Sequence, residues 1–214
     1  MLVKRPKGIT ETEITEMAKD ARGQINRIYL HWTAGYYGQA YDDYHFCVDR
    51  EGQVYRHCRE LTERKEHTWL RNSGAVAVAL CCGAEAACWA PQEGNCRTAR
   101  GALVTAGYVA PDCARICLGD APPTVPQIEV TAKLVALLCD GLGLPICRAT
   151  VQTHCEAAFK DGYGPGSGDP ETRWDLWFLP DAGQHGRLAP GGELLRGKAL
   201  YYQHLARKDA PAAA

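Results

Sequence analysis

Short apolar runs alternate with polar, glycine-punctuated stretches along the chain, and the spacing inside each run decides the element it predicts. Residues 25–32, "INRIYLHW", rise into an apolar run with Ile28, Tyr29 and Leu30, a strand signal. Residues 44–58, "YHFCVDREGQVYRHC", read as two strands joined at "DREG", with Gly52 where a hairpin turn calls for positive φ. "GAVAVALCC" is apolar without interruption over strand length, which predicts a central strand buried on both faces. Thr10 followed by Glu13 fits a capping box, and the polar stretch to Ala21 reads as a short surface helix. The clearest helix follows Thr124 and Gln127, a second cap signature. Ile128, Ala132, Val135 and Leu138 recur there at helical spacing, and Gly141 and Gly143 ahead of Pro145 are expected to stop it. Residues 84–122 lack periodicity and predict long loops with at most one helix. "GGELLRGKALYYQHLARK" predicts a terminal helix, followed by an Ala/Pro tail expected to be disordered. Strands and helices interleave without internal repeats, which predicts an α/β or α+β chain on a mixed sheet.

Composition narrows the function classes. The 214 residues suit one domain, and a net charge of −1 argues against a nucleic-acid partner held by electrostatics. No apolar run approaches the roughly 20 residues that would cross a bilayer. "MLVKRPKGITETEITEM" has basic residues without an apolar core behind them, so no secretory signal is expected and synthesis is expected in the cytoplasm. Eleven cysteines are many for such a chain, yet no C-x-x-C pair occurs, which disfavours a zinc ribbon or a thioredoxin-like site. Most are expected to be small buried apolar residues, with a disulfide somewhere within the cluster from Cys81 to Cys117 as an alternative in an oxidising compartment.

The candidate chemistry lies in three residues. His31 and His154 each end a predicted strand and precede a turn, rigid platforms from which side chains can converge. Asp175, in "RWDLW", sits between two tryptophans, and a carboxylate in such apolar company needs a partner. Two imidazoles and one carboxylate would give a zinc ion three ligands and leave a fourth position open, the pattern of a catalytic site. For each histidine taken alone, a core or surface role is the competing reading.

The blocks "HWTAG", "DYHFCVDREGQVYR", "HTWLRNSGAVAVAL" and "THCE…RWD" resemble, in order, the type 2 zinc-dependent N-acetylmuramoyl-L-alanine amidases. Peptidoglycan recognition proteins and phage lysozyme-type amidases share that domain, and the resemblance, over residues 25–179, is nearest in flavour to phage lytic enzymes. It implies an α/β fold, a central mixed sheet flanked by helices with a groove for the glycan-peptide. The catalytic domain would span 1–180 and a C-terminal extension 181–214. It implies Zn2+ held by His31, His154 and Asp175, with Asp169 in "SGDP" and Cys155 as rivals for the third place. Tyr44 would lie beside the water that zinc activates. Arg173 stands where phage enzymes usually carry lysine, and a guanidinium cannot act as a base, so it is assigned to holding the oxyanion. Glu156 is expected to orient His154 or relay protons, with a solvated loop acid as the alternative. His67, Asn72, Trp32 and Thr33 are expected to contact substrate. Trp69 and Trp174 could stack on sugar or peptide, although core packing is the commoner fate of tryptophan. His45 is expected to pack inside the sheet, and His185 and His204 to lie on the surface.

The implied reaction is hydrolysis of the amide between the lactyl group of N-acetylmuramic acid and L-alanine, and the implied partner is bacterial peptidoglycan, met by a monomer. A lytic enzyme without a signal would reach the wall through a membrane lesion made by another protein. The alternatives are a non-catalytic peptidoglycan-binding module of the same fold, a zinc hydrolase acting on a peptide bond within the stem, and a cytoplasmic amidase that recycles soluble muropeptides.

Overall fold

The computed structural model describes residues 1–4, 6–89, 115–167, 173–183 and 187–209. Its centre is a six-stranded sheet of β1 (Lys7–Gly8), β2 (Arg27–Trp32), β3 (Phe46–Val48), β4 (Val54–Arg56), β5 (Ala75–Leu80) and β8 (Val151–Thr153), in the order β1-β4-β3-β5-β2-β8. β3, β5, β2 and β8 run parallel, and β4 and β1 join antiparallel at one edge, so the sheet is mixed and the chain is α/β. The β3–β4 hairpin turns as its sequence predicts. Gly52 takes φ +85, and a Cβ there would stand 2.7 Å from the Val130 side chain, which presses on the turn from the long helix.

β5 is buried throughout, as expected from its unbroken apolar run, but its two faces differ. Val76, Val78 and Leu80 join the main core, whereas Ala75 and Ala79 belong to small clusters on the other face. Large residues support the helical layer, and alanines leave room on the face that carries the chemistry. The helical layer consists of α1 (Glu11–Asp20), α2 (Val125–Leu142) and α4 (Gly191–Asp209), which contribute Ile14 and Ala18, Ile128 to Leu142, and Leu195 and Ala199 to one core. Each fully buried Leu or Ile in it is worth about 1.5–3 kcal/mol. The terminal helix is therefore built into the common core.

Both capping boxes form, Thr10 with Glu13 and Thr124 with Gln127. Gly143 is the left-handed C-cap of α2 at φ +73. Gly141 is not a stop. It lies inside the helix, where a Cβ would stand 2.4 Å from that of Ala18, so it lets α1 and α2 close together.

Two short ribbons complete the fold. β6 (Ala87–Trp89) pairs antiparallel with β7 (Arg115–Cys117), a strand pair where loops and at most one helix were expected, and β9 (Phe178–Pro180) pairs with β10 (Leu188–Pro190). The nine described cysteines are all free thiols, Cys81 and Cys117 among them. Cys96, Cys113, Asp169, His185 and the Ala/Pro tail from 210 lie outside the described residues. Among the described residues, no helix is long and apolar enough to cross a membrane.

Candidate metal centre

The parallel pairing of β2 with β8 builds the site. Leu30 stands opposite Thr153, so the next residues, His31 and His154, emerge side by side at the carboxyl ends of adjacent strands. Crevices at such ends are where open α/β sheets hold ligands. The two imidazole centroids are 4.7 Å apart. His154 is not followed by a turn, as its sequence suggested. It is the first residue of α3 (His154–Asp161), capped by Thr153, whose hydroxyl accepts the Glu156 N–H at 3.2 Å.

Asp175 reaches the same point from a tight turn in which the Trp177 N–H donates to the Trp174 carbonyl at 3.0 Å. Leu176 takes φ +56 there, a strained conformation for a non-glycine residue, and full burial of its side chain holds it. The Cys155 N–H donates to the Asp175 carbonyl at 3.3 Å and ties the turn to α3.

One carboxylate oxygen of Asp175 lies 3.3 Å from Nδ1 of His31 and 3.3 Å from Nδ1 of His154. Ligand atoms of the three residues all fall within 4.8 Å of one another. Burial pushes the His31 imidazole down to about 4, against the pull of Asp175. Burial alone would raise the Asp175 carboxyl, but the charge and hydrogen bonds of His154 and His31 outweigh it and hold it below the usual range. A neutral His31 and an ionised carboxylate are the protonation states that metal ligation requires. Two nitrogens and one oxygen suit zinc or a similar transition ion, whereas calcium or magnesium would call for more oxygens.

A cleft of ≈ 370 Å³ opens beside the cluster, lined by His67, Thr68, Trp69, Leu70, His154 and Arg173 among others. Trp69 is 54% exposed and meets Tyr163 edge-on at 5.5 Å, and the Arg173 guanidinium lies over the Tyr163 ring at 5.2 Å. Of the two tryptophans considered for stacking, Trp69 is therefore the one on the rim, while Trp174 packs against the core. His67 is buried. Its Nδ1 meets the Thr68 hydroxyl at 2.9 Å, and its Nε2 has no partner among the described residues. Burial, with the surrounding imidazoles His31, His45 and His154, lowers it to about 2.

Several expected roles change. Glu156 is not a solvated loop acid. It is buried, and its two oxygens accept from Arg196 of α4 at 2.7 and 2.8 Å, so it anchors α3 without facing the cleft. Trp32, expected to contact substrate, lies on the face of the sheet that packs against the helices. It is 4% exposed and packs edge-on against Trp174 at 4.6 Å, because even-numbered residues of β2 face the helical layer. Asn72 lines the cleft, as expected, and also braces it, its Oδ1 accepting the His67 and Thr68 N–H groups at 3.2 and 2.8 Å. The Thr33 hydroxyl is buried without a partner among the described residues. Tyr44 stands against His31 at 5.2 Å, its O–H donates to the Trp32 carbonyl at 3.4 Å, and burial, then the Asp175 charge, pushes its pKa up. Cys155 packs with Trp177 and Phe178. His45 sits inside the sheet as expected, its Nδ1 accepting the Ala77 N–H and its Nε2 on the Glu63 carbonyl, and His204 is exposed.

Three contributors escaped the sequence reading: Thr68, Tyr163 and Arg196. Thr68 adjoins His67 in "HTW", a usable signal. Nothing in the sequence connects Arg196 to Glu156.

Imidazoles and a carboxylate converging at the carboxyl edge of a mixed α/β sheet, beside an open cleft, form a candidate metal site of the kind that metal-dependent hydrolases use. The family model for N-acetylmuramoyl-L-alanine amidase matches residues 21–170, and the chain belongs to that family. It is an amidase of peptidoglycan. The match ends before Arg173 and Asp175, which join the site only through the fold. No curated protein matches the chain. Among solved structures, it is similar to the endolysin N-acetylmuramoyl-L-alanine amidase LysCS from Clostridium intestinale URNW, with 14% identity and a TM-score of 0.38 over 61% of this chain and 69% of that one. It is likewise similar to the N-acetylmuramoyl-L-alanine amidase LysC from Clostridium intestinale URNW, with 14% identity and a TM-score of 0.37 over 61% of this chain and 70% of that one.

Proposed function

We propose that this amidase is zinc-dependent, with His31, His154 and Asp175 as ligands, and that it hydrolyses the amide joining the lactyl group of N-acetylmuramic acid to L-alanine. The observation that carries this reading is the convergence of both Nδ1 atoms on one Asp175 oxygen at 3.3 Å. Zinc held there supplies Lewis-acid polarisation of the amide carbonyl and a nucleophile drawn from water at neutral pH.

The chain's own groups do the rest. The cleft seats the glycan-peptide, with Trp69 and Tyr163 as an aromatic wall for sugar or stem. Arg173, permanently charged and presenting a rigid fork of donors, holds the oxyanion as the carbonyl becomes tetrahedral. Tyr44, kept protonated by burial, gives a second donor to the same oxygen by releasing its long bond to the Trp32 carbonyl. Because Glu156 is engaged by Arg196, the proton needed by the leaving nitrogen comes from the attacking water. The enzyme acts as a lytic, phage-type endolysin, working as a monomer on the wall after release through a membrane lesion.

The test measures zinc content and new amino termini released from purified walls, for the wild type and Asp175→Ala. About one zinc per wild-type chain with amine release, and neither in the variant, is expected. Amine release by zinc-free protein would end the zinc reading. Loss of turbidity on intact walls supports the lytic role; turnover of soluble muropeptides alone would overturn it.

A further inference from the structure

Behind His31, the Thr68 hydroxyl is buried between two imidazoles, 3.2 Å from Nε2 of His31 and 2.9 Å from Nδ1 of His67. A hydroxyl has one proton to donate, and a neutral imidazole carries its proton on one nitrogen only. The three groups therefore form a chain of hydrogen bonds with a direction, and Nδ1 of His31 sets it.

When that Nδ1 donates to Asp175, Nε2 of His31 is an acceptor. Thr68 donates to it and accepts from an Nδ1–H of His67, which leaves Nε2 of His67 bare. When Nδ1 of His31 gives its lone pair to a cation, the proton sits on Nε2 instead. Thr68 then accepts from His31 and donates to Nδ1 of His67, whose own proton moves to Nε2. Each imidazole and the hydroxyl keep one proton in both arrangements, and the positions change by exchange with water.

We propose that Thr68 is a positioning residue that couples metal loading at His31 to the tautomer of His67, converting Nε2 of His67 from a bare acceptor into an N–H donor. The inference rests on the reading of His31 as a metal ligand through Nδ1. Three observations support it. Nε2 of His67 is buried without a partner among the described residues, on a side chain that lines the cleft. Asn72 pins the backbone N–H groups of both His67 and Thr68, which fixes the bridge. His45 provides the contrast: its Nδ1 accepts from the Ala77 N–H at 3.0 Å, so its proton stays on Nε2 with or without metal.

The test records two-bond proton–nitrogen correlation spectra of the ¹⁵N-labelled full chain, zinc-free and zinc-loaded, for the wild type, Thr68→Ser and Thr68→Val. Wild-type His67 is expected to move from Nδ1–H to Nε2–H on zinc addition while His45 stays Nε2–H. Thr68→Ser keeps the switch; Thr68→Val loses it and binds zinc about 10-fold more weakly in chelator competition. The proposal falls if wild-type His67 shows one tautomer in both states or if Thr68→Val switches normally, even in a fully active enzyme. If zinc leaves the His31 resonances unmoved, the ligand reading falls with it.

Discussion

Glu156 and Asp175 are two carboxylates at the same corner of the fold, and their surroundings treat them in opposite ways. Glu156 accepts from Arg196 through both oxygens and from the Thr153 N–H at 3.1 Å, while Arg196 also donates to the Val151 carbonyl at 3.0 Å. That network is closed, and it clamps β8, α3 and α4 together. Asp175 offers one oxygen to two imidazole nitrogens at 3.3 Å, long for a charge-assisted bond, and Nε2 of His67 nearby has no partner among the described residues. This second network is open: ligand atoms of His31, His154 and Asp175 lie within 4.8 Å of one another, where they could hold a metal ion, and the closed clamp braces α3, which carries one of them.

Removing an arm of the open network should give the largest effect. His154→Ala is expected to lose zinc and at least about 10³-fold in turnover, the equivalent of several kcal/mol of Lewis-acid stabilisation, while remaining folded. Metal analysis beside amine release checks it, and a zinc-free variant with normal turnover would sink it.

Opening the closed network should cost stability rather than chemistry. Glu156→Ala leaves Arg196 buried without its partner, for a loss of about 3–5 kcal/mol in urea unfolding. Replacing both residues with leucine should recover most of that loss. Turnover per folded molecule of Glu156→Ala is expected to stay within a few-fold of wild type; a large fall with stability intact would return Glu156 to the mechanism.

Acid should weaken the metal-free protein. Burial holds His31 and His45 at about 4. Unfolded imidazoles take up protons near pH 6.5, whereas these accept them only near 4. Stability should therefore fall by a few kcal/mol as pH drops from 6.5 to about 4, and go on falling below that because His67, held at about 2, still refuses the proton its unfolded counterpart has taken up. Urea midpoints across that range test the sign, and a flat profile would contradict it.

The smallest effect touches neither network. Leu70, 81% exposed on the cleft rim, takes φ +60. Leu70→Asn should stabilise by roughly 0.5–1 kcal/mol, because asparagine tolerates the left-handed region better. An unchanged unfolding midpoint would show that the rim pays no strain there.

Much of the site was legible because its residues carry local signals. His31 ends an apolar run of strand character, and Asp175 lies between tryptophans where an acid requires a partner. What was misread concerned direction. Trp32 follows His31 at once, yet strand alternation turns it to the opposite face. Glu156 follows His154 by two residues, yet its place in the capping box turns it toward α4.

The sequence by itself determined several elements and some of their ends: the capping boxes at Thr10 and Thr124, the hairpin at Gly52, the buried strand from Ala75 and the terminal helix. Propensity, periodicity and caps act over a few residues, so a linear reading captures them. Only the tertiary structure decided which groups meet: His31 with Asp175 across 144 positions, Glu156 with Arg196 across 40 and Thr68 with His31 across 37. Those pairings depend on strand order and register, which bring distant segments within hydrogen-bond reach only once the sheet has closed around its core.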